Sequence, residues 1–199
     1  MFTAEAQRTQ RLFILSFFLC ALCVFAVKDI PACSEIGGTN MANELSPSVK
    51  KVQDALTGFG LACEVIEMQE TTRSAQDAAQ ALSCDVGQIV KSLLFKGKRS
   101  KKPILVVASG ANRVNTKKLR EILDEPIKMA HADFVLEITG FAIGGVPPLG
   151  HAQKSETFID EDLLQYDEIW AAAGTPNSMF KLTPRDLQTI ADGRVISVK

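Results

Sequence analysis

Ile89-Val90-Lys91-Ser92-Leu93-Leu94-Phe95 is the stretch from which the rest of the chain can be ordered. In an extended backbone, successive side chains alternate between faces. Ile89, Lys91, Leu93 and Phe95 therefore share one face, and Val90, Ser92 and Leu94 the other. Both faces are largely apolar, which predicts a central strand covered on each side. A basic turn follows, then a second apolar run from Pro103 to Ala108, and together the two runs predict a hairpin. Lys91 is the misfit. An ammonium among such neighbours must be paired, reach a cavity or lose its proton, and each outcome costs stability. That makes Lys91 a candidate functional group. The competing structural explanation is a side chain that snorkels to the surface or pairs with Glu64 or Glu67.

Outward from this strand, helical and extended signals interleave without a steady βαβ rhythm. Ser46 is a good N-cap with Pro47 behind it, and Val49, Val52, Leu56 and Phe59 recur at helical spacing until Gly58 and Gly60 end the run. Leu61 to Met68 reads as a strand, and Ser74 caps a short alanine-rich helix. Asn115 or Thr116 opens a helix carrying Leu119, Ile122 and Leu123, and Asp133 caps another that stops at Gly140. Tyr166 to Ala173 and Ser178 to Leu182 are expected strands. Thr183-Pro184-Arg185-Asp186 is a capping-box start for a last helix, and Val195 to Val198 reads as a closing strand. The expectation is an α+β fold with a mixed, strongly curved, barrel-like β-sheet flanked by helices.

Composition narrows the classes. A chain of 199 residues with 23% charged residues and ordinary Gly and Pro content is neither disordered nor fibrous. With 22 basic against 23 acidic residues, it is not a domain that grips nucleic acid by net charge, and no DNA partner is expected. Among five cysteines only Cys20 and Cys23 stand at C-x-x-C spacing, and no second Cys or His pair completes a set of four, which argues against a disulfide framework or a zinc site. No metal or other cofactor is implied.

Composition shifts near residue 40, dividing the chain into a hydrophobic N-terminal extension, 1–40, and a single domain, 41–199. Leu12 to Val27 is uncharged and flanked by Arg8, Arg11 and Lys28. As a helix, that run would span roughly 24 Å, short of a bilayer core of about 30 Å, so it reads as a signal-like or anchoring segment. The alternative is an over-extended start, with the working protein opening at Met41. Three cysteines (Cys20, Cys23 and Cys33) belong to this extension, and Cys63 and Cys84 remain in the body. The body reads as reduced and cytoplasmic, and membrane association or export is expected only if residues 12–27 are retained.

Two further stretches carry possible chemistry. In Gly144-Gly145-Val146-Pro147-Pro148-Leu149-Gly150-His151, two glycines permit close approach of a ligand and two prolines stiffen the far side. Such a loop can present backbone N–H groups to a carbonyl or phosphate oxygen, and it can equally be a tight structural turn. His151 is either a base or hydroxyl holder, or a structural hydrogen-bonder. Ala172-Ala173-Gly174-Thr175-Pro176-Asn177-Ser178 is a small-residue turn that could line a pocket or simply join two strands.

Taken in order, Lys91 in its strand, the Gly144–Gly150 loop and the tail from Ala172 to Leu187 resemble the YbaK/prolyl-tRNA synthetase-associated domain family, over about Ser46 to Lys199. The resemblance implies trans-editing, the hydrolysis of the ester joining a mischarged amino acid to the terminal adenosine of tRNA, most often tRNA for proline. It implies a pocket between the lysine strand and the Gly/Pro loop. Lys91 becomes the essential lysine, and Gly144, Gly145, Pro148 and Gly150 become a substrate-positioning loop, with Val146, Pro147, His151, Ala172, Gly174 and Met179 beside the substrate. Family members that remove cysteine carry Ser and Asp where this chain has Ala172 and Met179, which points to another small residue such as alanine or 2-aminobutyrate, with cysteine kept as a third candidate.

An activated ester needs positioning and charge stabilisation more than a strong nucleophile. No Ser/His/Asp or Cys/His arrangement is visible, so attack by water or a neighbouring substrate group is expected, with Lys91 anchoring phosphate or stabilising developing charge. Lys96, Lys98, Arg99, Lys101 and Lys102 could touch acceptor-end phosphates or be merely solvated, and Lys117, Lys118 and Arg120 add charge nearby. The expected partner is aminoacyl-tRNA, with prolyl-tRNA synthetase a candidate. The alternatives are a non-catalytic module that binds an aminoacyl or nucleotide group or partners a synthetase, and an exported or membrane-tethered domain with an unrelated ligand.

Overall fold

A computed structural model describes residues 45–68 and 74–199, so the extension at 1–40 and the start at Met41 lie outside the described residues. The helices form where their caps predict. Helix α1 (Pro47–Gly58) is capped by Ser46, whose Oγ accepts from Val49 N–H, and it buries Val49, Val52 and Leu56. Helices α2 (Ala75–Leu82) and α5 (Pro184–Ala191) open with reciprocal capping boxes, Ser74 with Asp77 and Thr183 with Asp186. Helix α3 (Thr116–Leu123) starts at Asn115, whose Oδ1 accepts from Lys117 and Lys118 N–H. Helix α4 (Ala132–Thr139) begins earlier than its sequence suggests. His131 occupies the cap position without a side-chain bond, and Asp133 instead places its carboxylate in the first turn, where the helix dipole favours it.

The strands are β1 (Val65–Glu67), β2 (Ile89–Gly97), β3 (Pro103–Ser109), β4 (Ile127–Met129), β5 (Glu156–Asp160), β6 (Ile169–Ala172), β7 (Ser178–Leu182) and β8 (Arg194–Ile196). Among the described residues they form one mixed sheet in the order β1-β7-β6-β2-β3-β5-β8, with β4 also on β2. The expected β2–β3 hairpin is present, antiparallel from Val90↔Ser109 to Lys96↔Pro103. The α+β class holds, but the sheet is open rather than barrel-like, because the end strands β1 and β8 do not pair. Strand β1 starts late, covering 65–67 of the expected 61–68. Strands β4 and β5 carry no clean alternation and had no sequence signal; neighbours recruit them.

Helices cover both faces of β2, as its double-sided apolar pattern requires. On one face Val90 and Leu94 join Leu105, Val107, Ile159 and Phe180 with side chains of α1, α4 and α5. On the other, Phe95 packs with Ile104, Val106, Phe158 and Leu119 of α3, and Ile89 packs with Met179, Ala78 and Ala79 of α2. Lys91 falls between these two smaller clusters.

One break in the pairing positions the site. Along its edge away from β3, β2 pairs in parallel with β6 only at Ile89 and Val90, and antiparallel with β4 only from Phe95 to Gly97. Leu94 carbonyl accepts from Ala130 N–H at 3.0 Å and Lys98 N–H donates to Pro126 carbonyl at 2.8 Å, so the even-numbered backbone groups of β2 point to this edge. Ser92 N–H and C=O therefore open into a gap between two strands.

Candidate functional site

A cavity of about 490 Å³ fills that gap, in the size range of small-molecule sites. It takes lining residues from both faces of the sheet: Val90, Leu94 and Val135 from one, Ile89, Leu93 and Met179 from the other. Lys91 is the one titratable side chain among its described lining residues. Its half-buried ammonium pairs with neither Glu64 nor Glu67. Instead Nζ donates to the carbonyls of Gly110 at 3.1 Å and Asn112 at 2.6 Å, in the loop leaving β3. An ammonium has three donors, so one remains for a ligand. Burial pushes the Lys91 pKa down from 10.5; the Asp160 carboxylate acts against that shift and the Arg113 guanidinium adds to it.

The opposite wall comes from the Gly/Pro loop, of which Gly144 and Val146 line the cavity together with Ile143. Gly144 adopts φ +96°, a conformation that favours glycine. Gly145 N–H is spent on Ala142 carbonyl at 3.1 Å, whereas Gly144 and the buried Val146 have no N–H acceptor among the described residues. Two unspent donors beside a cavity suit a carbonyl or phosphate oxygen. Ala172, Thr175, Pro176, Ser178 and Met179 complete this end. The loop and the tail turn are bonded directly, Gly174 N–H to Gly145 carbonyl at 3.0 Å.

The structure thus brings Lys91, Gly144, Val146, Ala172 and Met179 to one cavity, with Gly145 and Gly174 in direct support. It does not bring Pro148, Gly150 or His151 there. Those three line a second cavity of about 330 Å³, with Leu105, Thr157 and Ile190. His151 Nε2 is bonded to the Pro147 carbonyl at 2.7 Å and its ring packs edge-on against Phe141, a structural arrangement that stiffens the loop; the buried Pro147 lines neither cavity. The basic hairpin is also partly committed: Lys96 Nζ lies 3.9 Å from the centre of the Phe134 ring, and Arg99 donates to the Asp124 carbonyl. Lys98, Lys101 and Lys102 remain on the exposed turn. Thr175 and Ser178 belong to the small-residue turn expected to line a pocket, and they do line it; sequence reasoning missed Ser92, Met129, Ile143 and Asn112. Ser92 was legible only as an ordinary strand residue, and the others carry no motif.

A family model described as an aminoacyl-tRNA editing domain matches residues 69–190. The chain belongs to the aminoacyl-tRNA editing domain family. An uncharacterized protein, YwhH of Bacillus subtilis, is 32% identical to this editing domain over 148 residues, covering 74% of this chain and 94% of the relative. Enterococcus faecalis EbsC, named "Putative Cys-tRNA(Pro)/Cys-tRNA(Cys) deacylase", is 26% identical over 126 residues, covering 63% of this chain and 76% of the relative. A crystal structure of "a putative trans-editing enzyme for prolyl tRNA synthetase" superposes with TM-score 0.74 at 45% identity, covering 78% of this chain and 98% of the other. The proline–tRNA ligase of Bacillus licheniformis is 28% identical over 141 residues, which is 24% of that longer protein. Among the described residues of the editing domain, no helix is long and apolar enough to cross a membrane, and no cluster of three potential metal ligands occurs.

Proposed function

We propose that this editing domain acts in trans, hydrolysing the ester between a small non-cognate amino acid and the terminal adenosine of tRNA, with tRNA for proline as its foremost substrate. The observation that carries the reading is the shared cavity. A half-buried lysine ammonium with one uncommitted donor shares a small, mostly apolar chamber with Gly144 and Val146, whose N–H groups have no acceptor among the described residues.

In this mechanism a water oxygen bonds to the ester carbonyl carbon as the carbonyl electron pair moves onto its oxygen. N–H donors of Gly144 and Val146 hold that oxyanion. Collapse breaks the bond to the ribose oxygen, which leaves with the proton given up by water. Among the described lining residues no side chain can serve as a carboxylate or imidazole base, so a substrate group, the amino group or the neighbouring ribose hydroxyl, carries the proton. Lys91 stabilises the developing charge or anchors the terminal phosphate. Ser92 offers its N–H and C=O to the aminoacyl backbone, and Ala172, Ser178 and Met179 limit side-chain size. The exposed lysines of the hairpin lie roughly 20 Å along β2 from Lys91, far enough to meet a stem phosphate rather than the terminal nucleotide. Prolyl-tRNA synthetase is the candidate partner, and the cytoplasm the expected compartment, because charged tRNA is found there.

The test is a deacylation screen over alanyl-, cysteinyl-, seryl- and 2-aminobutyryl-tRNA. Release of at least one small amino acid, lost in Lys91→Ala, is the expected result. Saturable binding of every aminoacyl-tRNA without turnover would instead leave a non-catalytic binding module.

A further inference from the structure

Asp160 ends β5 with no exposed surface, and the mechanism above makes no use of it. Its Oδ2 accepts from Ser109 N–H at 3.0 Å and from Asn112 Nδ2 at 2.7 Å, and its Oδ1 accepts from Asp162 N–H at 3.3 Å. It forms no ion pair among the described residues, and a buried carboxylate without one is costly to keep. The same Asn112 supplies the closer of the two carbonyls on Lys91 Nζ. Carboxylate and ammonium therefore sit at opposite ends of one residue: Asp160 grips the Asn112 side chain, and the Asn112 main chain grips Lys91. The loop is secured from behind as well. Asp162 Oδ2 accepts from Asn112 Nδ2 at 2.7 Å and from Lys199 Nζ at 2.5 Å, and Asn115 N–H donates to the buried Val198 carbonyl at 2.7 Å.

We propose that Asp160 is a positioning residue for Lys91: through Asn112 it fixes the Gly110–Arg113 loop whose two carbonyls orient the ammonium at the cavity, and its charge offsets that ammonium's burial. The proposal rests on the reading of Lys91 as the working cation. Of the charged groups around Lys91, Asp160 from β5 favours the protonated amine and Arg113 from the loop opposes it. Asp162 and Lys199 neutralise each other behind Asn112. Glu67 from β1 is turned to Ser178 Oγ at 3.5 Å, and α2 lines the cavity with Ala75 and Ala78, preceded by its cap Ser74. Among the described residues, Asp160 is thus the carboxylate that bears on the amine.

Asp160→Asn removes the charge while one side-chain oxygen still accepts from both Ser109 and Asn112, and it gives up only the longer 3.3 Å bond from Asp162 N–H. In the full chain, kcat on the best aminoacyl-tRNA is expected to fall about tenfold with KM within about twofold. The alkaline limb of the kcat profile should move about one pH unit lower, since the group that sustains the lysine proton is gone. A folded variant with wild-type kcat and limb overturns the proposal, and so does a slower one with an unmoved limb, which would mark a merely structural role. If that variant does not fold, Asn112→Ala cuts the tether and leaves the charge; a drop in kcat at steady KM supports the proposal and an unchanged kcat overturns it. Nitrogen NMR titration of the Lys91 ammonium in the free protein separates the two readings. A lowered lysine pKa in Asp160→Asn, in a protein inactive on every ester, retains the coupling and refutes the deacylase reading. An unchanged lysine pKa overturns the coupling itself.

Discussion

Gly145 and Thr175 approach so closely that a Cβ built on Gly145 would lie 2.7 Å from the Thr175 N and Cα atoms. This contact, with the bond from Gly174 N–H to Gly145 carbonyl, joins the loop that carries Gly144 and Val146 to the turn that carries Thr175 and Ser178. Two walls of the cavity are thereby one unit. Gly145→Ala must push them apart, because the obstructing atoms are backbone. The expected cost is about 1–3 kcal/mol of stability with a larger relative loss of deacylation, read by chemical denaturation and by turnover. Unaltered kcat/KM would show that the two walls need no fixed spacing.

Lys91→Ala removes the one cation among the described lining residues of the cavity, and kcat should fall roughly 10²–10³-fold, the loss typical of removing one donor to developing charge. Lys91→Arg should not restore it. The two carbonyls of Gly110 and Asn112 hold a compact ammonium, and a planar guanidinium cannot reproduce that geometry. Single-turnover deacylation of both variants is the measurement.

Burial of His151 pushes its pKa below 6.5; the Pro147 carbonyl bond acts against that shift and nearby Lys51 adds to it. Below 6.5 the unfolded chain then binds a proton that the folded chain resists. Stability is expected to decline as pH drops from 6.5 to the folded-state value and to change no further from this group below it. Urea midpoints at neutral and mildly acidic pH should separate for the wild type and converge for His151→Gln. Deacylation at neutral pH should change little in that variant, since His151 lines the other cavity.

The exposed lysines at 98, 101 and 102 give the hairpin a role that depends on ionic strength. Replacing all three with alanine should raise KM for aminoacyl-tRNA and flatten its dependence on salt, with each lost phosphate contact removing about 0.7–0.9 from the log–log slope. Hydrolysis of a short aminoacyl-adenosine ester should be unaffected, because it does not reach the turn. Equal losses on both substrates would count against the hairpin as a contact surface.

Met179 is buried at 4% exposure and lines the cavity beside Ala172 and Ser178. Met179→Ala removes three heavy atoms and should admit larger residues, shifting the ratio of valyl- to alanyl-tRNA deacylation by at least about 10–200-fold, the value of a single methylene in a pocket. Competition assays with mixed substrates would read that ratio directly.

The predicted elements that survived are those whose signals are local. Ser46, Ser74, Asn115 and Thr183 cap helices through bonds spanning two or three residues, and the β2–β3 hairpin follows from two apolar runs and a short turn. His151 shows the reverse case. It is four residues from Pro147 in sequence, yet backbone direction through the two prolines turns it into a different cavity from Gly144.

From the residues alone came the α+β class, the central double-sided strand, the oddity of Lys91 and the glycine-rich partner loop, because alternation, capping and turn chemistry act over a few positions. Only the tertiary structure decided that β6 and β4 stop short of each other on β2, that the cavity opens through this gap, and that Asp160 reaches Lys91 through Asn112. Asn112 and Asp160 are 48 residues apart, and nothing local couples them. Their meeting depends on β3 and β5 lying side by side in parallel, a pairing set by the whole sheet and its two covered faces.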